Sequence, residues 1–288
     1  MAEAAIPVDL FNPGQVFACL GFLEAADVLL GEAQGGFDWS NEVDTRFLLR
    51  AAGDENPVEA VLAFLAEAEV VALAPAHSRN RTEKWDVPTQ RLPLGEPFPF
   101  PDPASPATLP ARLRAGEQFI DITHWGEATN VDNVKFWAGA GGYPGVALLR
   151  DALDLMRGRW EEARDDPFSV SALQSSSFRF DWRRDYIPLD AGFSPNEHAD
   201  VKMVGYPLVE ILAAIGLSHA RPLRLDKLHY RYAVLGSKDA CLPPVLLRAG
   251  LGCAPLPFNR RIFRMELGWP GQENQARCIL EVMEEPVS

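Results

Sequence analysis

The stretch from Asn12 to Gly31 constrains this chain more than any other. Asn12 is a strong helix N-cap, Pro13 suits the first helical position, and Gln15 stands at the third, as in a capping box. Phe11 and Val16 hold the two positions of a hydrophobic staple, and Gly31 is the stop. The body between them, from Val16 to Leu30, is apolar nearly all round. A helix of that kind has no face to offer water, so the rest of the chain must enclose it. With 288 residues, 47% of them apolar, there is enough material to build such an enclosure.

The remaining pattern predicts an α+β fold. Arg46 to Arg50 reads as a short strand, Asn56-Pro57 opens a helix from Val58 to Glu69, and Val70 to Ala74 reads as a strand. Residues 75–110 hold nine of the 24 prolines, which excludes a helix or a central strand and predicts an extended connection over the surface. Beyond it, strands are expected over 119–123, 178–182, 228–234, 261–267 and 278–283. Helices are expected over 146–164 and 208–215, the second stopped by Gly216, with a helical turn over 243–250. No βαβ period recurs, which favours α+β over a doubly wound sheet. The expectation is one α+β domain over 1–288, the alternative being a division into 1–74 and 111–288 joined by 75–110.

Charge is unevenly spread. The net charge is −13, yet residues 1–74 hold 13 acids and two bases, while 221–264 hold nine bases against Asp226 and Asp239. Two partner surfaces of opposite sign are one reading, ordinary solvated charge the other. No apolar run reaches the ~18 residues of a membrane span, and the N-terminus shows no signal-peptide pattern, so a cytoplasmic protein without membrane contact is expected. Four scattered cysteines without a C-x-x-C pair point to buried, reduced thiols.

Motifs for catalysis are missing. Gly139 to Gly145 precedes a helix but matches neither the P-loop nor the dinucleotide fingerprint. Tight packing, a phosphate contact or a small-molecule site remain open there. Asp121, His124 and Asp132, or His198 and Asp200, are the nearest approach to a metal-ligand group, without recognised spacing. No catalytic residue, metal or cofactor is expected.

The strongest polar signal is Ser175 to Tyr186, which contains three hydroxyls, three arginines, a Trp and a Tyr. Hydroxyls and guanidinium groups bind phosphate, and rings stack on bases. The competing reading pairs the arginines with Asp181 and Asp185. Lys135-Phe-Trp137 is a second such segment. The candidate phosphate-contacting or stacking residues are Lys135, Trp137, Arg179, Arg183, Arg184, Arg260, Arg261 and Arg264.

Four blocks carry a family resemblance: Ile6 to Phe17, Asp132 to Gly142, Ser175 to Asn196, and Val204 to Leu217. With them the chain resembles, over roughly residues 6–281, a family encoded in type I-U CRISPR–Cas loci, a small form of the large effector subunit. The resemblance implies a non-catalytic subunit of a crRNA-guided DNA surveillance complex in antiviral defence. It implies a ferredoxin-like, RRM-type core with a glycine-rich loop, for which Gly139 to Gly145 is the candidate. It also implies partners: other effector subunits, the crRNA, and target double-stranded DNA beside its flanking motif, with a guide-RNA backbone role as the alternative. In that setting the acidic first third, including Glu42 and Asp44, is expected to dock on protein.

Overall fold

A computed structural model describes residues 1–96, 98, 105–125, 143–174, 176–183, 203–236, 241–268 and 277–286. The chain is α+β, and α1 (Pro13–Leu29) runs through the middle of it, with every residue from Pro13 to Ala26 buried. Asn12 caps it through Oδ1, which accepts from the Gln15 N–H at 3.4 Å. The reciprocal arm of the expected capping box is redirected: Gln15 Oε1 accepts from the Asp9 N–H at 2.7 Å, and the Asn12 N–H goes to the Asp9 carbonyl. Phe11 packs edge-on to Phe263, with ring centres 5.1 Å apart.

The first part follows the order βαββαβ: β1 (Ala2–Pro7), α1, β2 (Gln34–Asp38), β3 (Arg46–Ala51), α2 (Pro57–Glu67) and β4 (Glu69–Ala74). β3 lies between β1 and β2, antiparallel to both, with Phe47 opposite Ile6 on one side and Phe37 on the other. β4 heads a second sheet instead of pairing with β1. Its order is β5 (Thr89–Arg91), β4, β6 (Ala111–Ala115), β7 (Gln118–Ile122), with β5 parallel to β4. The β6–β7 hairpin turns through Gly116, whose φ of +59° a side chain would disfavour. The proline-rich connection therefore does more than cross the surface: it donates the edge strand β5 and buries Val87 and Leu109 in the core.

The second part contains α3 (Gly145–Met156), the short pair β8 (Ala172–Leu173) and β9 (Val204–Gly205), and α4 (Pro207–His219). A third, wholly antiparallel sheet follows: β10 (Leu223–Arg224), β11 (His229–Leu235), β12 (Arg260–Gly268), β13 (Cys278–Glu285), with α5 (Pro244–Leu251) between β11 and β12 in sequence. α3 ends at Met156, eight residues before the expected stop, and Trp160–Ala163 is a separate 3₁₀ turn. α4 runs three residues past Gly216. That glycine serves close packing: a Cβ on Gly216 would strike the Phe17 carbonyl, and one on Gly21 the Leu212 carbonyl. α1 and α4 thus cross backbone to backbone, which explains two apolar, glycine-bearing helices in one chain.

The inner face of the third sheet closes over α1. Tyr232 is fully buried, stacks on Phe263 at 5.2 Å, meets Phe17 at 6.1 Å, and donates its hydroxyl to the Leu10 carbonyl at 2.7 Å. Buried phenols keep such a partner because a buried hydroxyl left unpaired costs about 1–3 kcal/mol.

Candidate nucleic-acid interface

The arginine-aromatic segment is not the expected strand. Phe178 and Phe180 are buried with rings stacked 5.2 Å apart, but Arg179 between them takes a left-handed φ of +67°. The backbone N–H groups of Phe180 and Asp181 donate to Glu210 Oε1 on α4, at 3.0 and 3.2 Å, where a strand would need a ladder. Asp181 is only 1% exposed. It accepts from Asn12 Nδ2 at 3.0 Å, from the Arg183 N–H at 2.9 Å, and from the Arg183 guanidinium at 2.6 Å. Arg183 also donates to the Phe168 carbonyl at 2.8 Å and lies 3.6 Å from the centre of the Tyr206 ring. The local pairing left open by the sequence is thus present at Arg183, and it is buried on one side, not solvent-exposed. Ser176 donates to Asp151 at 2.8 Å, and Ser177 Oγ accepts from the Arg179 N–H at 3.2 Å, so both hydroxyls serve local structure. Lys135, Trp137 and Arg184 lie outside the described residues.

The basic stretch 221–264 also changes on folding. Arg261 forms a two-bonded pair with Glu284 at 2.7 and 2.5 Å, Arg231 meets Glu285 at 2.5 Å, and Arg248 pairs with the buried Glu24 at 2.6 and 2.5 Å. Three acids from outside the stretch therefore reduce its excess of seven positive charges to four. The Arg261 guanidinium holds the Glu284 carboxyl below its ordinary range. Arg260 donates to the Ala254 carbonyl at 3.2 Å.

Arg264 stands apart. It projects on the outer face of β12, because its neighbours Phe263 and Met265 face the core. Across the ladder it sits directly opposite Arg231 on β11 and Met283 on β13. Two like charges in directly opposed register repel. Among the described residues Arg264 forms no salt bridge, whereas Glu285 compensates Arg231. The sheet carries further cations, Arg277 next to the Gly268–Cys278 rung and Arg224 opposite the buried Tyr230. Arg277, entering β13, donates to the Lys227 carbonyl at 2.9 Å, and Arg224 donates to the Asp226 carbonyl at 3.1 Å. Glu285 meets Arg231, Glu266 lies opposite Glu281, and the Leu228 N–H and the His229 ring hold Asp226 below its usual range.

The facing pair Arg231 and Arg264 is the part of the outer face suited to a phosphate contact. It offers no stacking platform: Tyr230, Tyr232 and Phe263 all point into the core. Sequence reasoning singled out Arg264 but missed Arg277, which lies 50 positions from its partner Lys227. Strand pairing of β12 with β13 is what brings it there.

The metal reading loses its first member, since Arg112 clamps both Asp121 oxygens at 2.7 and 2.8 Å. His124 is buried, edge-on to Trp125 at 4.6 Å. Asp132, His198 and Asp200 lie outside the described residues, and among the described residues no group of three metal-ligating side chains occurs. Gly145 serves packing, because the Trp125 ring occupies the place of a Cβ, while Gly139, Gly141 and Gly142 lie outside the described residues. Glu42 and Asp44 line a cleft of about 340 Å³ with Asp9 and Asp166. No helix among the described residues is long and apolar enough to cross a membrane. No protein-family model, curated protein or solved structure matches the chain.

Proposed function

We propose that the chain is a non-catalytic subunit of a type I-U crRNA-guided DNA surveillance complex, contacting crRNA or target DNA beside the flanking motif. The observation that carries the reading is the outer face of the third sheet, where Arg264 faces Arg231 and, among the described residues, forms no salt bridge. A phosphate backbone supplies the missing negative charge, and its contacts fix register and orientation without reading bases. In guided complexes that division of labour holds: pairing reads sequence, while protein holds the backbone and reads a short motif. The four sequence blocks that resemble the family support the same reading. So does the βαββαβ order of residues 2–74 with β3 between β1 and β2. We read this as a ferredoxin-like unit whose last strand has joined the neighbouring sheet, with the proline-rich residues as an insertion.

Association with other effector subunits, a cytoplasmic location and the lack of catalysis belong to the same proposal. The test is co-expression with the other effector subunits and a repeat–spacer array, followed by purification through a tag on this chain. A discrete RNA of guide length in the purified material is the expected result. A folded chain that carries no RNA, or that arrives with a bound mononucleotide or metal, would overturn it in favour of a small-molecule enzyme. Crosslinking to the guide along its length, rather than to target DNA, would move the role to the backbone alternative.

A further inference from the structure

We infer that the groove between the end of α1 and the exposed side of α2 is a docking seat for a cationic amphipathic helix of a partner protein. The groove has a volume of about 510 Å³. Leu29 and Leu30 at the end of α1, with Ala60, Ala63 and Phe64 from α2, give it an apolar strip beside the polar Glu55, Glu67 and Gln118. Small alanines on α2 leave room for incoming side chains, which is how a groove accepts the apolar stripe of a helix.

Charge decides which helix. Glu55 and Glu67 lie on the groove wall, and no basic residue lines it. α1 directs its C-terminal end here with no basic residue in its last turn, and α2 likewise lacks one. The carbonyl ends of helices attract cations, so the end of α1 adds to the carboxylates. The only two bases of residues 1–74, Arg46 and Arg50, are already paired with Asp44 and Glu3 elsewhere. A nucleic acid would be repelled, and a second copy docked face to face through the same groove would bring the same carboxylates. A helix with an apolar stripe flanked by Lys or Arg satisfies both strip and carboxylates. This holds whether or not the third sheet touches nucleic acid.

The test uses the full chain, titrated by heteronuclear NMR with a synthetic helix of about 18 Leu and Lys residues, and with its Leu/Glu counterpart. Saturable binding of the Lys helix is expected, with shifts centred on Leu29, Leu30, Ala63, Phe64 and Gly116, and none with the Glu helix. Ala63→Arg, at an exposed helical position, should weaken binding about tenfold, or 1.4 kcal/mol, while leaving the spectrum of the free protein folded. Glu55→Lys with Glu67→Lys should weaken it as well. Absence of binding, shifts centred on the Glu42 and Asp44 cleft, unchanged affinity of Ala63→Arg, or a dimer of the free chain broken by Ala63→Arg would each overturn the inference.

Discussion

Arg183 and Arg264 both come from arginine-rich segments of alternating polar and apolar residues, and they end in opposite situations. Arg183 closes on Asp181, which itself receives Asn12 from the start of α1, so the pair fastens residues 176–183 to the central helix. Arg264 lies on an outer sheet face opposite another arginine. The difference comes from the acid each one meets. Asp181 is buried and needs a cation, whereas Arg264 forms no salt bridge among the described residues, and Glu285 and Glu284 of β13 are engaged with Arg231 and Arg261. Arginine density along a sequence therefore says little about where positive charge remains available after folding.

Several outcomes would break or sharpen that contrast. The largest effect is expected at Arg183. Arg183→Ala leaves a buried carboxylate without its cation, a loss of about 3 kcal/mol in urea unfolding. An unfolding midpoint equal to that of the parent chain would place Arg183 with Arg264 as a surface residue. Asn12→Ala should cost about 1–2 kcal/mol, since it removes both the cap of α1 and a bond to Asp181. If Asn12→Ala and Arg183→Ala act on one network, their double mutant should cost less than the sum of the two.

A smaller, pH-dependent effect belongs to the third sheet. Arg261 lowers the pKa of Glu284, so the pair stabilises the fold above the ordinary carboxylate pKa of ~4.3 and loses that contribution as pH falls through the lowered value. Glu284→Gln should therefore lower Tm slightly at pH 7, with the gap to the parent closing in acid. A gap that widens in acid would contradict the assignment. The smallest stability effect is expected at Arg264. Arg264→Ala should stay within about 0.5 kcal/mol of the parent, because it breaks no pair and relieves a repulsion with Arg231.

Much of the framework was legible in the sequence, because it is written in short-range signals. The cap and stop of α1, the Asn56-Pro57 start of α2, and the alternating strands β11 and β12 all follow from neighbouring residues. β1 and β2 escaped notice for a physical reason. Ala2 to Pro7 has little β-branched content, and Gln34 to Asp38 contains two glycines, one pressed against the Phe47 ring. Both strands owe their form to β3 between them. The false strand at 178–182 shows the converse. Its alternation is real, but the buried Phe178 and Phe180 answer to the core, and their backbone answers to Glu210. The candidate site was legible only at single residues. Arg264 could be seen, but the approach of Arg277 and the neutralisation of Arg231, Arg248 and Arg261 depend on partners distant in sequence.

The central claim is that nucleic-acid contact runs through the outer face of the third sheet. The direct measurement is the salt dependence of target-DNA binding by the assembled complex, with the parent chain and with Arg264→Ala. A lost phosphate contact lowers affinity and reduces the slope of log K against log salt by about one unit. That reduction, with folding unchanged, is the result expected here. An unchanged slope for both target DNA and guide RNA would contradict the claim and leave the Arg231–Arg264 face without a ligand.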